Sequence, residues 1–258
     1  MKILFVGDVV GAVGRKMVFE HVPQIKKEHN IDLVICNAEN AAHGKGITKK
    51  IYNQLINNGV DIITMGNHTF SKKNLEDVID EMDKMVRPAN MYPLEYGKGV
   101  RVFEYFDKKI AVINLIGETF MVNVSESAFS KMDQILSEIE ADIYIVDLHA
   151  EATSEKIAFT YEYASKCSII VGTHTHVQTA DERIVDNHCA AISDLGMCGP
   201  IHSVIGRDVE EILKRFKYHE NTRFTIAEGK GIFCGCIIEL DDQTNQAISI
   251  ERIQIKEQ

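Results

Sequence analysis

Through its first third the chain alternates short apolar runs with amphipathic segments: residues 3–6 then 15–28, 33–35 then 49–57, and 62–65 then 75–82. That β-α-β-α rhythm restricts the fold more than any other feature, because strands so connected run parallel and are joined by right-handed crossovers. Pro23 predicts a break in the first amphipathic segment, since it has no N–H for the helix ladder. The pattern then changes. Runs 100–106 and 110–115 flank Asp107-Lys108-Lys109 and predict a hairpin. A helix over 127–139 follows, and runs 143–148 and 169–171 bracket a further amphipathic segment, 155–164. The remainder reads as strands at 182–185, 190–193, 224–227, 232–240 and 247–255, with a helix over 208–216 and a turn at 241–245. Two packed mixed sheets with helices outside, a four-layer α/β/β/α sandwich, accommodate both halves. The C-terminal strands are expected to fill the second sheet or to leave an edge for self-association, so a homo-oligomer stays open. With 258 residues and no Pro- or Ser-rich linker, one domain over 1–258 is expected.

Hydrophobic residues make up 45% of the chain and charged residues 26%, ordinary values for a soluble globular protein. No apolar run reaches the roughly 18 residues needed to span a bilayer, so no membrane association is expected. The apolar segment before Gly7-Asp8 is too short for a signal peptide, which predicts a cytoplasmic protein. A net charge of −10 disfavours stable binding to duplex nucleic acid, whose affinity comes largely from Lys and Arg neutralising phosphates. A small anionic substrate is still admissible if metal ions reverse the local field. The six cysteines lie mostly in or beside apolar runs without paired C-x-x-C spacing, which predicts reduced, buried thiols. Cys234-x-Cys236 puts two of them on one strand face.

Residues able to do chemistry sit at the ends of these runs. Asp8 follows Phe5-Val6-Gly7, Glu39 and Asn40 follow run 33–38, Asn67 and His68 follow 62–66, His149 ends run 143–148, and His174-Thr175-His176 closes the run that begins at Ile169. Strand ends are where open α/β sheets bind ligands. Taken singly these residues have ordinary readings: Asp8 as a turn or helix cap, Glu39-Asn40 as a polar loop before Gly44 and Gly46, a lone His as packed or solvated. Together, carboxylates, amides and imidazoles at five strand ends form the donor set that two adjacent hard-to-borderline metal ions require. An imidazole beside an amide ligand, as His68 is beside Asn67, suits a general acid if kept off the metal. The set predicts a dinuclear metal hydrolase acting on a phosphate ester. His43 could reach a phosphate or base from its loop, or simply be exposed. Residues 194–200 read equally as a substrate-facing wall, where glycines permit close approach, or as a structural turn. Gly7-x-x-x-Gly11 has the wrong spacing for a dinucleotide fingerprint.

Gly7-Asp8, Asn37-Ala38-Glu39-Asn40, Gly66-Asn67-His68-Thr69, Asp147-Leu148-His149-Ala150-Glu151 and Gly172-Thr173-His174-Thr175-His176 together resemble the calcineurin-like metallophosphoesterases. Within them the chain is similar to the YmdB-like branch along essentially its whole length. The wider pattern has a His two places after the first Asp, where this chain has Val10, and commonly a bridging Asp where it has Glu39. Both departures are what the branch implies, with Asn40 filling the place of the missing His. By that resemblance Asp8, Glu39, Asn40 and His176 bind one metal, and Glu39, Asn67, His149 and His174 bind the other, Glu39 bridging. The resemblance implies iron or manganese as the two ions, and cyclic nucleotides, especially 2′,3′-cyclic nucleotides, as the small-molecule phosphodiester substrate. Nitrogen and oxygen donors without thiolate are compatible with either metal.

Charge supports a diester. Two divalent ions, the carboxylates of Asp8 and Glu39 and a bridging hydroxide leave a single positive charge if every imidazole is neutral; a phosphodiester neutralises it and a monoester dianion overshoots. The expected mechanism is in-line attack by hydroxide formed from a water shared between the metals, with His68 protonating the leaving oxygen. The alternatives are a phosphomonoesterase or nucleotidase on the same metals, and a regulatory RNA-processing partner in which catalysis is secondary.

Overall fold

The computed structural model describes residues 1–105 and 107–258. The last residue of the run 100–106, Phe106, lies outside the described residues. In chain order the first half holds β1 (Lys2–Val6), β2 (Asp8–Val9), α1 (Gly11–His29), β3 (Leu33–Asn37), α2 (Lys49–Asn57), β4 (Ile62–Thr64), β5 (Val100–Tyr105) and β6 (Lys108–Ile116). The second holds α3 (Ala128–Glu138), β7 (Ile143–His149), α4 (Thr153–Tyr163), β8 (Ile169–Thr173), β9 (Arg183–Val185), β10 (Cys189–Ile192), β11 (Met197–Pro200), α5 (Val209–Tyr218), β12 (Gly231–Leu240) and β13 (Ala247–Lys256).

One sheet has the order β2-β11-β12-β1-β3-β4 with β13 on β12; the other has the order β5-β6-β7-β8-β10-β9. β1, β3 and β4 are parallel, as are β6, β7, β8 and β10, while β12 runs antiparallel to both β1 and β11. In the second sheet β5 runs antiparallel to β6 and β9 to β10, so both sheets are mixed. Successive side chains of a strand point to opposite faces, and here each face has its own core. Ile3 and Phe5 of β1, Leu33 and Ile35 of β3, and Ile143 and Ile145 of β7 meet between the sheets. Leu4, Val6, Val34 and Cys36 pack outward against Val18 and Val22 of α1 and Leu55 of α2. Val146 and Leu148 pack outward against Met132 of α3 and Phe159 of α4. The result is the expected α/β/β/α sandwich, and all six cysteines are buried and free. Among the described residues no helix is long and apolar enough to cross a membrane.

Local expectations failed where packing overrode them. α1 is continuous through Pro23, with Val22 and Ile25 buried on either side of it; burial of one face over the whole helix outweighs one missing ladder bond. Segment 75–82 is not an α-helix but a chain of tight turns closed by i→i−3 bonds such as Val78 N to Leu75 O and Met82 N to Ile79 O. Those turns also bury Leu75, Ile79 and Met82, so helical spacing of apolar residues did not distinguish the two. Among the described residues, 224–227 form a single bridge, Arg207 to Ile226, with no neighbouring strand to continue the ladder. β12 and β13 complete the sheet of β1 rather than the second one, with β12 inserted between β1 and β11.

This topology delivers the site. The carboxyl ends of β1, β3 and β4 in one sheet and of β7 and β8 in the other come to one edge. There Asn37, the last residue of β3, donates from Nδ2 to Asp147 Oδ2 across the sheets at 3.0 Å.

Candidate metal centre

Asp8, Glu39, Asn40, Asn67, His149, His174 and His176 meet at that edge. Asp8, Glu39, Asn40 and His149 are buried. Their contacts fall into two groups that share Glu39. In one, Asn40 Nδ2 donates to Glu39 Oε1 at 3.0 Å and lies 3.1 Å from His176 Nε2, which is 3.8 Å from Asp8 Oδ1. In the other, His149 Nε2 is 3.2 Å from Glu39 Oε1, 3.0 Å from Asn67 Oδ1 and 3.0 Å from His174 Nδ1. Ligand atoms of Glu39, His149 and His174 all lie within 4.8 Å of one another.

Neighbouring groups decide which nitrogen of each ring is free. Thr173 Oγ1 donates its one proton to Asp147 Oδ1 at 2.7 Å, so the 2.8 Å contact with His149 Nδ1 is donated by the ring. Neutral His149 then turns the lone pair of Nε2 toward Glu39 and Asn67. His176 Nδ1 donates to the carbonyl of Ile205 at 2.8 Å, and Nε2 again carries the lone pair. His174 Nε2 lies 3.2 Å from Glu151 Oε2, which leaves the Nδ1 lone pair facing His149 Nε2. Two lone pairs 3.0 Å apart need a cation between them, a proton or a metal ion. These outer partners perform the task that orients metal-binding imidazoles in general.

Electrostatics points the same way. Burial pushes the Asp8 carboxyl up to about 7, with Asp194 and Glu39 adding to the rise and His176 and His149 opposing it. Asp8 Oδ1 has no hydrogen-bond partner among the described residues, although its Oδ2 accepts from His174 N at 3.2 Å. An unpartnered buried carboxylate oxygen is costly unless a cation meets it. Burial also opposes the charges of Glu39 and His149, yet the two stabilise each other: Glu39 is held well below the usual carboxylate range and His149 is raised to about 9. His174 falls to about 3 through burial and the neighbouring His149 charge. Buried anionic oxygens next to imidazole lone pairs fit a metal, whose binding would release the shared proton. Asn40 presents its nitrogen to Glu39 and His176; a half-turn of the near-isosteric amide would present its oxygen.

The backbone is shaped around this cluster. His174 (φ 101), His176 (φ 66) and Ile205 (φ 49) lie in the left-handed region, where a β-branched residue such as Ile205 is a genuine outlier. Val10 packs against Gly199 and Gly206; a Cβ at Gly206 would come within 2.7 Å of it.

The cluster opens into a cavity of about 220 Å³ lined by Glu39, Asn40, His68, Glu151, His174 and His176, with Val10, Ile205, Arg207, Phe224 and Ile226 as further walls. His68 is half-buried there, its backbone N donating to Glu39 Oε2 at 2.9 Å. Burial lowers its pKa, with Glu39 opposing. His43 is exposed and lines a separate cavity of about 480 Å³ that shares Phe224 and Ile226 but none of the seven clustered residues. None of residues 194–200 lines the 220 Å³ cavity. Asp194 instead pairs with buried Lys156 at 2.8 Å and accepts from Thr175 N at 3.0 Å and Gly196 N at 2.9 Å, supporting the His174–His176 loop from beneath.

Asn37, Asp147, Glu151 and Thr173 lie within the sequence motifs, where position along the chain assigns them no task. The signal was present for Asp147, two residues before His149 and so on the same strand face. Arg207, Phe224 and Ile226 were missed as site residues because none of them ends a strand.

The YmdB-like protein family matches residues 4–253. The 2′,3′-cyclic-nucleotide 2′-phosphodiesterase of Bacillus subtilis (strain 168) is 49% identical over 259 residues, spanning 100% of this chain and 98% of that one. A crystal structure of a protein from Mycoplasma pneumoniae, described as a novel phosphatase, has a TM-score of 0.95 and 38% identity, covering 99% of this chain and 93% of that one. A hypothetical protein from Thermus thermophilus has a TM-score of 0.93 and 35% identity, with both chains fully covered.

Proposed function

The chain belongs to the YmdB-like protein family, and from that premise we propose that it is a metal-dependent phosphodiesterase acting on 2′,3′-cyclic nucleotides. The observation that carries this reading is the buried Glu39 carboxylate shared by two groups of donors, with Asp8 Oδ1 bare beside them. The substrate class rests on likeness to the Bacillus subtilis relative, which is named for it.

Asp8, Glu39, Asn40 and His176 would hold one ion, and Glu39, Asn67, His149 and His174 the other. Nitrogen and oxygen donors of this kind suit iron or manganese. When bound, the ions supply Lewis acidity, which draws charge from phosphoryl oxygens and makes a water acidic near neutrality. The side chains do the rest. Thr173, Glu151 and the Ile205 carbonyl hold the three imidazoles in the tautomers that donate inward. Val10, Ile205, Phe224 and Ile226 give the cavity an apolar wall, where charge interactions are stronger than in water. A ring nitrogen of His68 passes its proton to the leaving ribose oxygen. Burial works against the protonated ring, and an anionic substrate in the same cavity favours it, as the Glu39 charge already does.

A second reading, a phosphomonoesterase, is favoured by the phosphatase description of the Mycoplasma pneumoniae structure. One experiment separates the two: metal analysis of protein purified without chelator, paired with turnover of a 2′,3′-cyclic nucleotide and of its monoester product. Two metals per chain and turnover of the diester support the proposal. Turnover of the monoester alone selects the second reading, and a metal-free protein inactive on both refutes each.

A further inference from the structure

Arg207 is the one Lys or Arg among the described residues that line the donor cavity, and only part of its guanidinium is used. Nη2 is engaged by Glu211. Nε is shut away from solvent and has no hydrogen-bond partner among the described residues. A buried N–H without an acceptor is costly, and more so on a charged group. The side chain is nonetheless held in place. Its guanidinium lies 4.5 Å from the centre of the Phe224 ring. Glu211 also accepts from the Thr222 hydroxyl at 2.9 Å and from Thr225 N at 3.1 Å, so one carboxylate ties Arg207 to the segment that carries Phe224. The backbone of Arg207 exchanges two hydrogen bonds with Val204, at 2.9 and 3.0 Å.

The ion pair with Glu211 occupies Nη2 and Nε is closed to solvent, so Nη1 is the guanidinium nitrogen left to face a ligand. The carboxylates of Glu39 and Glu151 line the same cavity, so any fixed positive charge offered to a ligand by a side chain there comes from Arg207. Lys45 reaches the Phe224 ring at 5.0 Å but does not line the cavity. We propose that Arg207 binds the substrate's anion, its Nη1–H donating to a non-bridging phosphoryl oxygen while Phe224 and Glu211 keep the guanidinium oriented. Charge-assisted bonds of this kind are about twice as strong as neutral ones, and their geometry favours arginine over lysine. The identity of the substrate rests on the phosphodiesterase reading; the anion site rests on Arg207 itself.

Arg207→Met keeps the length and the apolar stem and removes the charge. Manganese-loaded wild type and variant are titrated with inorganic phosphate by calorimetry, and metal content, kcat and KM for a 2′,3′-cyclic nucleotide are measured alongside. Phosphate affinity should fall about tenfold or more and kcat/KM about a hundredfold, with metal content unchanged. Affinity and kcat/KM within twofold of wild type overturn the proposal, as does loss of metal in parallel with activity, which would mark a structural role. Arg207→Lys is made as well, so the test survives if Arg207→Met does not fold. Lysine lacks the planar fork, so phosphate affinity should fall by about threefold or more, and an unchanged affinity overturns the proposal. If phosphate binding depends on Arg207 but no diester is hydrolysed, the anion site stands and the phosphodiesterase reading falls.

Discussion

Replacing Gly66 by alanine is predicted to disable the donor cluster while leaving the fold standing. A Cβ at Gly66 would lie 2.3 Å from His149 Nε2 and 2.4 Å from Glu39 Oε2, against the 3.4 Å at which ordinary contact begins. About 1.1 Å of movement is therefore demanded of one side or the other. Neither side gives freely. His149 is wholly buried and held at Nδ1 by Thr173 at 2.8 Å, and Glu39 Oε2 is held by His68 N at 2.9 Å. On the glycine's side, Met65 N is tied to Asn114 Oδ1 at 3.1 Å. Overpacking of this kind costs about 1–3 kcal/mol, a fall in Tm of roughly 2–4 °C per kcal/mol for a chain of this size. A displacement near 1 Å costs on the order of a hundredfold in rate. The assay combines metal content, kcat/KM on a cyclic diester, and Tm with and without chelator. Chelator should lower the Tm of the wild type more than that of the variant, because a bound metal stabilises only the state that binds it. A Gly66→Ala protein that holds two metals and works within threefold of wild type would refute the placement of the site around Glu39 and His149.

His68→Ala should retain its metals and lose about 10²–10³-fold in kcat on a substrate with an alkyl leaving group. An aryl ester hardly needs the proton, so equal losses on both substrates would remove the acid assignment. Lys156→Met strands Asp194, only 1% exposed, without its 2.8 Å partner and should cost about 3–5 kcal/mol in urea unfolding. A loss below about 1 kcal/mol would contradict the pairing, and adding Asp194→Asn should recover part of it. At Asp181 burial alone would raise the carboxyl, but hydrogen bonds from Ser193, Thr179 and Arg183 hold it below the ordinary 3.8. A depressed carboxylate contributes stability above its unfolded-state value and loses it as pH falls through the folded one. Asp181→Asn should therefore be less stable than wild type at pH 7, with the gap closing below about pH 4; a gap of the same size at pH 3 and pH 7 would contradict this.

Much of the layout was legible in order along the chain. Apolar runs ending in Asp8, Glu39-Asn40, Asn67-His68, His149 and His174-x-His176 are local patterns. A strand buried on both faces must end where polar groups can be tolerated, so the runs and their polar ends were read together. The sandwich followed from the change between parallel units and later strands. Segment 75–82 was not legible, because tight turns and a helix bury the same residues. Nor was the path of α1 through Pro23, since the packing that holds it comes from other elements.

The site divides in the same way. Which donor types the chain has, and that each follows a strand, can be read along the chain. Packing of the two sheets brings them together, lets Thr173, Glu151 and Ile205 choose the inward-facing nitrogens, and adds Arg207 to the cavity. Thr173 lies 24 residues from His149, and Ile205 lies 29 from His176. A hydrogen bond acts over about 3 Å, whatever the distance along the chain. Periodicity reports which face a residue occupies, but the partner it meets there is set by how the sheets pack.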